Sequence, residues 1–317
     1  MINKFYKKRI LKNKNNKFFY YLQSFWNDLK PSAFLRSKLK SAAIDYFYNQ
    51  DAAIRNRVDY YNKLVGVKDS LTSAIAIEDY KIPERIRVYY FDSKYYLKHF
   101  NPKFRFHLLP GDITQVPDEP SIVKSRPVQG DNANSVLLNL DKCRHFNFLI
   151  DDIKFEDKKN LLIGRSGFSQ PHRARFYELF ANHEMCDLKK ATHKSDTGYL
   201  DIEGHLQYKY ILALEGNDVA TNLKWIMSSN SIAVMPKPRF ETWFMEGTLI
   251  ADQHYICIKD DYSDLEEKLN YYNNNPNQAE QIIANAHQYI DQFRDQKKED
   301  IIALLVLKKY FECTNQS

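Results

Sequence analysis

The most regular arrangement of apolar and polar positions lies in residues 207–258, and it predicts a strand, a turn, a helix and two more strands. Residues 208–214 form an apolar run rich in β-forming residues, and a Gly-Asn-Asp turn at 216–218 interrupts it where a strand must turn into a helix. Residues 231–235 are short and apolar, as expected of a buried parallel strand. Between these runs, apolar residues recur at helical spacing, so one helix face should pack on the sheet: Val219, Leu223, Ile226 and Met227.

Residues 160–180 repeat this order of strand, glycine-containing loop and helix. Residues 161–163 are the predicted strand, and Gly164 and Gly167 are expected to loosen the turn that follows. The predicted helix carries three apolar side chains on one face, Phe176, Leu179 and Phe180.

The same pattern predicts the remaining elements of the chain. Strands are predicted over 86–93 and 135–142, and the polar residues 188–206 are predicted to form a surface loop. Ser263 with Glu266 is expected to form a capping box, and Pro276 to begin a helix. The predicted helices lie within 19–64, from 263 to 272, from 276 to about 293, and over 297–312.

Strands that alternate with helices predict an α/β fold, with a parallel sheet in the second half of the chain. In such a sheet the turn after each strand lies at the carboxyl end, where open α/β folds bind ligands. The first N–H groups of the helix after that turn have no partner within the helix, which favours a phosphate group. Two such halves would suit a nucleotide-linked substrate.

The composition fits a chain of two globular domains. The chain has 317 residues, 14% of them aromatic, and no apolar run approaches the ~20 residues that span a bilayer. The polar residues near position 20 argue against a secretory signal. The four cysteines have no metal-binding spacing and are interpreted as buried thiols in a reducing cytoplasm: Cys143, Cys186, Cys257 and Cys313.

The net charge of +6 is modest, but positive residues are concentrated at the start of the chain. Aromatic residues alternate with these basic residues, and the first acidic residue is Asp28. Such a segment can lie on an anionic membrane, although a solvated, frayed terminus has the same composition. Nucleic acid is disfavoured because the rest of the chain is nearly charge-balanced.

Three places carry candidate chemistry, and the first is the loop with Arg165 and Arg173. Guanidinium groups beside a glycine turn and a helix start suit a diphosphate, although surface helices commonly carry such residues too. The second is the turn from Glu215 to Asn222, whose N–H groups could hold phosphate unless Asp218 caps the helix itself. Its acidic residues suit sugar hydroxyls, and Lys224 could add positive charge.

The third place is Asp112, in a loop rich in Gly and Pro. A carboxylate there can act as a general base on a hydroxyl group, although an Asp after Gly is most often a turn residue. The adjacent acidic pairs at 151–152 and 260–261 lack a neighbouring His and are interpreted as solvated or capping residues. No metal site is therefore predicted.

The runs YKYILALEGNDVATNLKWIMSSNS, ETWFMEG and HYICIKDDYSDLEEKL resemble the family-90 glycosyltransferases. That group includes bacterial lipopolysaccharide core enzymes, fungal capsule xylosyltransferases and animal protein O-glucosyltransferases, and the form EGND…LKW…SSNS is most similar to the bacterial members. The resemblance implies a GT-B fold of two Rossmann-like domains. The expected division is a basic segment at 1–30, an acceptor-side domain at 31–155, a nucleotide-sugar domain at 156–290, and a C-terminal helix at 291–317 that packs back toward the N-terminal domain.

The resemblance also implies roles for particular residues. The segment GDITQVPDEPSIVKSRP has the shape of the family's catalytic segment and places Asp112 at the base position. The segment LIGRSGFSQPHRARF corresponds to the donor loop, in which Arg173 matches the trailing arginine, while Ile163 stands in place of the leading one. The predicted acceptor-side residues are His107, Lys124 and Arg126, which lie close to Asp112 in the sequence. The predicted donor-binding residues, from the loop and the turn described above, are Gly164, Arg165, Ser166, Arg173, Glu215, Gly216, Asn217, Asp218, Ala220, Thr221, Asn222 and Lys224.

The implied activity is an inverting transfer that needs neither a metal nor a cofactor, from a nucleotide-diphosphate sugar such as a UDP-sugar to a lipid A–core oligosaccharide. The chain would act in the cytoplasm, on the inner face of a bacterial inner membrane, with its basic N-terminus on anionic lipid. Alternatives are a capsule or protein O-glycosyltransferase and a non-catalytic scaffold that binds sugar nucleotides.

Overall fold

The computed structural model describes residues 17–28, 51–66, 71–167 and 169–316. The predictions for the basic residues 1–16 and for a helix across 29–50 lie outside the described residues.

The described chain separates into two compact units, and both draw on distant parts of the sequence. The C-terminal unit consists of Arg144–Pro238 and Glu246–Arg294. The N-terminal unit consists of the described residues of Asn16–Cys143, Arg239–Met245 and Asp295–Ser317.

Regular elements occur in both units. Among the described residues the helices are, in chain order, α1 (Lys17–Asp28), α2 (Ala52–Tyr61), α3 (Arg87–Leu97), α4 (Lys142–His145), α5 (Pro171–Phe180), α6 (Ile202–His205), α7 (Leu223–Met227), α8 (Leu265–Asn274), α9 (Pro276–Asp291) and α10 (Gln296–Cys313). The strands are β1 (Ile75–Ala76), β2 (Arg105–Phe106), β3 (Leu108–Leu109), β4 (Ser121–Val123), β5 (Ser125–Pro127), β6 (Ser135–Leu137), β7 (Lys159–Ser166), β8 (Cys186–Lys190), β9 (Tyr208–Leu212), β10 (Ile232–Met235), β11 (Phe240–Thr242) and β12 (Ile256–Cys257).

The C-terminal unit is built on a five-stranded sheet in the order β12–β10–β9–β7–β8. Every neighbouring pair runs parallel, which confirms the parallel sheet predicted for the second half of the chain. Leu162, Val234 and Ile256 of this sheet are fully buried, and the same core includes Leu269 of α8 and Ile282 of α9. Because parallel strands need crossover connections, their turns lie together at one edge of the sheet.

Most predicted elements of the C-terminal unit are confirmed, but several local predictions were wrong. Helix α7 has only five residues and begins at Leu223, so Val219 lies outside it. Gly164 lies inside β7 and not in the turn after it. Strand β8 falls where the sequence predicts the start of a surface loop, because an edge strand with the sequence CDLKK buries only Leu188.

The two predictions about helix starts had different outcomes. Pro276 is the first residue of α9, as predicted. The prediction of a capping box from Ser263 and Glu266 is wrong, because the N-cap residue of α8 is Asp264. Its side chain makes no capping hydrogen bond. Ser263 instead donates its hydroxyl to Asp261, 2.8 Å away.

Helix α3 corrects the prediction of a strand over 86–93. Its sequence has the aromatic and β-branched residues that favour strands. However, α3 packs against both α1 and α10, so Tyr89, Tyr90 and Phe91 are all buried although they point in different directions. A helix covered on several sides has no single apolar stripe, and its sequence then resembles a buried strand.

The N-terminal unit contains short sheets alongside its helices. Strands β3, β4 and β6 form a parallel sheet, while β1 pairs with β2 and β5 pairs with β11 in antiparallel fashion. The strand predicted over 135–142 is present only in its first part, as β6. The C-terminal helix α10 belongs to this unit and packs on α2 and α3. The described chain is therefore a mixed α/β protein with parallel sheets.

All four cysteines lie within the described residues, and no disulfide links them. All four are partly buried, so the prediction of buried thiols is met only in part. Burial raises the pKa of the Cys186 thiol to about 12. Separately, none of the described helices combines the length and the apolar character that crossing a bilayer requires.

Candidate functional site

The guanidinium of Arg173 joins the loops that follow the adjacent strands β7 and β9. Arg173 lies in the first turn of α5, which begins at Pro171. Its Nε donates to the carbonyl of Glu215 and its Nη2 to the carbonyl of Leu214, both at 2.8 Å. A longer bond of 3.4 Å runs from Nη1 to the carbonyl of Gly167. Arg173 therefore lies at the carboxyl edge of the sheet, where parallel α/β folds bind ligands.

Neighbouring side chains hold the same two loops together. His172 bonds through Nε2 to the carbonyl of Glu215 at 2.8 Å, across 43 positions of sequence. Gln170 donates to the side chain of Asn217 at 2.9 Å, and the hydroxyl of Tyr262 donates to the carbonyl of His172 at 3.1 Å. Two segments that the sequence analysis singled out separately thus form one local structure.

No carboxylate lies within ion-pair distance of Arg173 in the part of the chain that the structure describes. Burial lowers the pKa of the Arg173 guanidinium. The positive charge of Arg144 also lowers this pKa, whereas Tyr177 raises it. The three carbonyl bonds use at most three of the five N–H donors of a guanidinium. A buried guanidinium that has unused donors and no carboxylate partner has the chemistry that binding an anion requires.

Sequence reasoning missed Arg144. It stands in the run KCRHF, apart from any glycine turn or predicted helix start. Nothing in the local sequence separates it from other surface arginines, and only the fold brings its charge near Arg173.

The guanidinium of Arg165 forms hydrogen bonds with other residues of the C-terminal unit. Nη2 bonds to the Asp187 carboxylate at 2.7 Å, Nη1 to the Asp187 carbonyl at 2.6 Å, and Nε to the Gly198 carbonyl at 2.7 Å. Burial raises the pKa of Asp187, but hydrogen bonds from Tyr208 and Arg165 outweigh this effect, so the pKa is below its ordinary value. Arg165 and Arg173 were predicted to act together; Arg165 instead ties β7 to its neighbour β8.

Gly164 and Ser166 both lie in β7. A Cβ atom at Gly164 would stand 2.7 Å from Cδ2 of Leu188 and 3.0 Å from the Tyr177 hydroxyl, so glycine is needed here for close packing. Ser166 donates its hydroxyl to Tyr177 at 3.1 Å. Both residues support the strand that leads to the loop of Arg173.

The turn after β9 is stabilised by its own hydrogen bonds. The N–H of Gly216 donates to the carbonyl of Asp218 at 3.0 Å, and Asn222 donates its side-chain amide to the carbonyl of Leu212 at 2.9 Å. Asp218 and Ala220 are buried, while Thr221 is half-buried. Asp218 does not cap the helix, because α7 begins only after Asn222.

Lys224 was predicted to add positive charge to this turn, and the structure corrects that prediction. Its side chain is fully buried, and Nζ lies 2.5 Å from Oε1 of Glu246. The pair is neutral overall, so Lys224 does not add net charge at the sheet edge.

In the N-terminal unit, Asp112 pairs with Lys124. Nζ of Lys124 lies 2.5 Å from Oδ1 of Asp112, and the side chains are 2% and 30% exposed, respectively. The buried ammonium of Lys124 therefore holds the partly exposed carboxylate of Asp112 in position. The neighbouring N–H of Ile113 donates to the Ser125 hydroxyl at 3.2 Å, which holds the loop against β5.

The other two predicted acceptor-side residues make structural contacts. His107 bonds through Nε2 to the carbonyl of Thr72 at 2.6 Å. Arg126 is fully buried, and its Nε bonds to Glu241 at 2.8 Å. Its other nitrogens bond to the carbonyls of Tyr60, Tyr61 and Ser135. Arg126 therefore joins β5 and β11 to α2.

The described residues contain no group of three or more His, Cys, Asp or Glu side chains placed to hold a metal ion. The adjacent acidic pairs at 151–152 and 260–261 were predicted to be solvated or capping residues. This is correct for Asp261, whose carboxylate accepts the Ser263 N–H at 3.0 Å. The prediction is wrong for Asp151, whose side chain is buried, pairs with Lys158 at 2.8 Å and accepts the N–H of Asn230 at 2.9 Å.

The C-terminal unit thus combines a parallel α/β sheet with Arg173, which has no carboxylate within ion-pair distance among the described residues. Comparison with known proteins identifies the class. The sequence profile of glycosyl transferase family 90 matches residues 154–312. The chain is also 43% identical over 293 residues to "O-glucosyltransferase LpsA" of Dichelobacter nodosus, a match that covers 89% of this chain and 91% of the relative. The chain belongs to glycosyl transferase family 90 and is a glycosyltransferase.

Proposed function

We propose that this enzyme transfers a sugar from a nucleotide-diphosphate donor, a UDP-sugar, to a hydroxyl group of a lipopolysaccharide core oligosaccharide, with inversion at the anomeric carbon. The observation that carries the proposal is the Arg173 guanidinium at the sheet edge, near Arg144 and without a carboxylate partner. A nucleoside diphosphate is an anion that such a pair of arginines binds well.

The same two arginines would also stabilise the leaving group, which is the nucleoside diphosphate. When the bond between the anomeric carbon and the diphosphate breaks, the electron pair leaves with the diphosphate, and negative charge grows on its oxygens. Arg173 and Arg144 then bind this charge more strongly in the transition state than in the bound donor, which accelerates the reaction. We propose that these arginines supply the stabilisation without a metal ion. Activity that is lost in chelator and restored by a divalent cation would overturn this part.

We assign the role of general base to Asp112. Its carboxylate takes the proton of the acceptor hydroxyl as that oxygen forms its bond to the anomeric carbon. The pairing with Lys124 supports this role because it holds the carboxylate in a fixed position, and the exposure of Asp112 leaves it accessible to substrate. Direct attack by the acceptor oxygen, on the face opposite the departing diphosphate, gives inversion.

The acceptor and the location are proposed from the relatives. The relative from D. nodosus is named an O-glucosyltransferase, which supports transfer to oxygen. The resemblance of the EGND and SSNS motifs to lipopolysaccharide enzymes favours a lipid A–core acceptor on the cytoplasmic face of the inner membrane.

Calorimetric titration with UDP tests the donor site. Arg173→Gln should weaken UDP binding by about tenfold or more, since a hydrogen bond to a charged group contributes about 1.5–3 kcal/mol. Arg175→Gln is the matched control, because Arg175 lies on the same helix but is exposed and pairs with Glu178. Binding of uridine, which lacks the phosphates, separates loss of charge from collapse of the site.

We expect Arg173→Gln to affect UDP strongly and uridine little, with no change for either ligand in Arg175→Gln. Equal affinity for UDP in the wild type and Arg173→Gln would overturn the proposed donor site.

A further inference from the structure

Helix α1 has two faces of different character. Tyr20, Ser24 and Asn27 recur at i, i+4 and i+7 and are partly buried. On this face the hydroxyl of Tyr20 donates to Asp92 of α3 at 2.7 Å. Beside it, the ring of Phe25 packs edge-on against Phe91 with centroids 4.8 Å apart. This inner face attaches α1 to α3 within the N-terminal unit.

The opposite face of α1 presents large apolar side chains to solvent. Phe19, Leu22 and Trp26 recur at i, i+3 and i+7 and are 63%, 57% and 69% exposed. At 100° per residue these three positions fall within one narrow stripe, on the far side of the helix from Tyr20 and Ser24. We call this stripe the outer face of α1. Contiguous exposed apolar side chains on a helix mark an interaction surface.

Charge indicates what this surface contacts. All charged residues before Asp28 are basic: Lys4, Lys7, Lys8, Arg9, Lys12, Lys14 and Lys17. Positive residues followed by a helix with Trp, Phe and Leu on one face are the combination that binds the interface of an anionic bilayer. Tryptophan in particular favours the level of the lipid headgroups. With twelve residues, α1 is too short to span a bilayer and would lie in its plane.

We propose that the outer face of α1 inserts into the headgroup region of an anionic lipid bilayer, and that the basic residues before it bind lipid phosphates. The inference deepens the proposed membrane location, because it assigns insertion to Leu22 and Trp26 and not to the basic segment alone. Since α1 is attached to α3, insertion would hold the N-terminal unit at the lipid surface.

Vesicle sedimentation of the full chain tests the proposal without any sugar donor or acceptor, so it can fail independently of the proposed reaction. Vesicles of phosphatidylcholine with and without phosphatidylglycerol are compared. The test variant is Leu22→Gln/Trp26→Gln. The matched control is Ile250→Gln/Tyr271→Gln, which replaces two apolar residues of similar exposure in the C-terminal unit.

We expect the wild type and the control to bind phosphatidylglycerol vesicles, and the test variant to bind about tenfold or more weakly. All three proteins should melt at the same temperature without lipid, because the replaced side chains are exposed. Lipids that carry a fluorescence quencher should quench the wild type, and Trp26→Phe should remove that quenching, because Trp243 is buried and Trp225 half-buried.

Two results would overturn the proposal. One is unchanged vesicle binding by the test variant, which would leave the basic residues as the sole attachment. The other is a dimer, seen by analytical ultracentrifugation of the wild type and absent from the test variant, which would make the outer face an interface between two copies of the chain.

Discussion

Arg57 and Glu299 form a buried, bidentate ion pair although 242 positions separate them in the sequence. Nη1 of Arg57 lies 2.5 Å from Oε1 of Glu299, and Nη2 lies 2.9 Å from Oε2. The indole N–H of Trp243 donates to the same carboxylate at 2.6 Å. The ring of Tyr61 stacks on Trp243, with centroids 3.8 Å apart. Helices α2 and α10 and the segment Arg239–Met245 thus meet at one carboxylate within the N-terminal unit.

Removing the charge of Glu299 should destabilise the protein. In Glu299→Gln the buried guanidinium of Arg57 loses its counterion, and such losses lower the free energy of unfolding by about 3–5 kcal/mol. Urea denaturation followed by circular dichroism measures the change. Glu312→Gln is the control, because Glu312 lies on the same helix in an exposed pair with Lys308 and should contribute less than about 1 kcal/mol. Equal effects of the two substitutions would contradict the assigned importance of the buried pair.

Gly164→Ala should destabilise the C-terminal unit by about 1–3 kcal/mol, because the added methyl group overlaps Leu188 and Tyr177 in a tightly packed sheet. The shift of the urea midpoint checks this value. If the overlap with Leu188 is the cause, the double variant Gly164→Ala/Leu188→Ala should lose less stability than the two single variants together. Strict additivity would show that the methyl group is accommodated in another way.

Asp112→Asn should reduce turnover by about 10²–10⁴-fold, the usual contribution of a general base, because the amide cannot accept the proton of the acceptor hydroxyl. Affinity for UDP should stay at the wild-type value. Steady-state transfer to a core oligosaccharide, together with calorimetry, provides both measurements. The control is Asp118→Asn, which removes the negative charge of an exposed carboxylate in the same loop. Full turnover in Asp112→Asn would remove Asp112 from the mechanism.

Stability should fall as the pH decreases below about 6.5, in part through His205. Burial lowers the pKa of this imidazole and the charge of Arg165 lowers it further, against the raising effects of Asp201 and Asp187. The unfolded chain therefore takes up a proton at a higher pH than the folded protein does. The contribution of His205 is complete above the unfolded pKa and is lost as the pH falls toward the folded pKa.

Urea midpoints measured between pH 8 and pH 5 test this sign. His205→Gln, which cannot be protonated, should show a smaller loss of stability on acidification than the wild type. His193→Gln, at an exposed position of the same unit, controls for replacing a histidine side chain. An unchanged pH profile in His205→Gln would contradict the prediction.

Sequence patterns predicted the elements whose burial is simple. Strands β9 and β10 are short apolar runs covered on both sides, and α9 follows a proline that cannot continue the preceding helix. In these places one local property, apolar spacing or backbone restriction, decides the conformation. Helix α3 was misassigned because several neighbours cover it, and that information lies in residues far away in the sequence.

For the candidate site, the sequence determined which segments matter and what charge they carry. The glycine-containing loop after β7, the turn after β9 and the aspartate at position 112 could all be identified from residue types and from resemblance to a family. Tertiary structure alone distinguished the arginines. Arg165 forms an ion pair with Asp187, whereas Arg173 bonds to backbone carbonyls and has no carboxylate within ion-pair distance among the described residues. The function of a charged side chain depends on its counterions and its burial, and folding sets both.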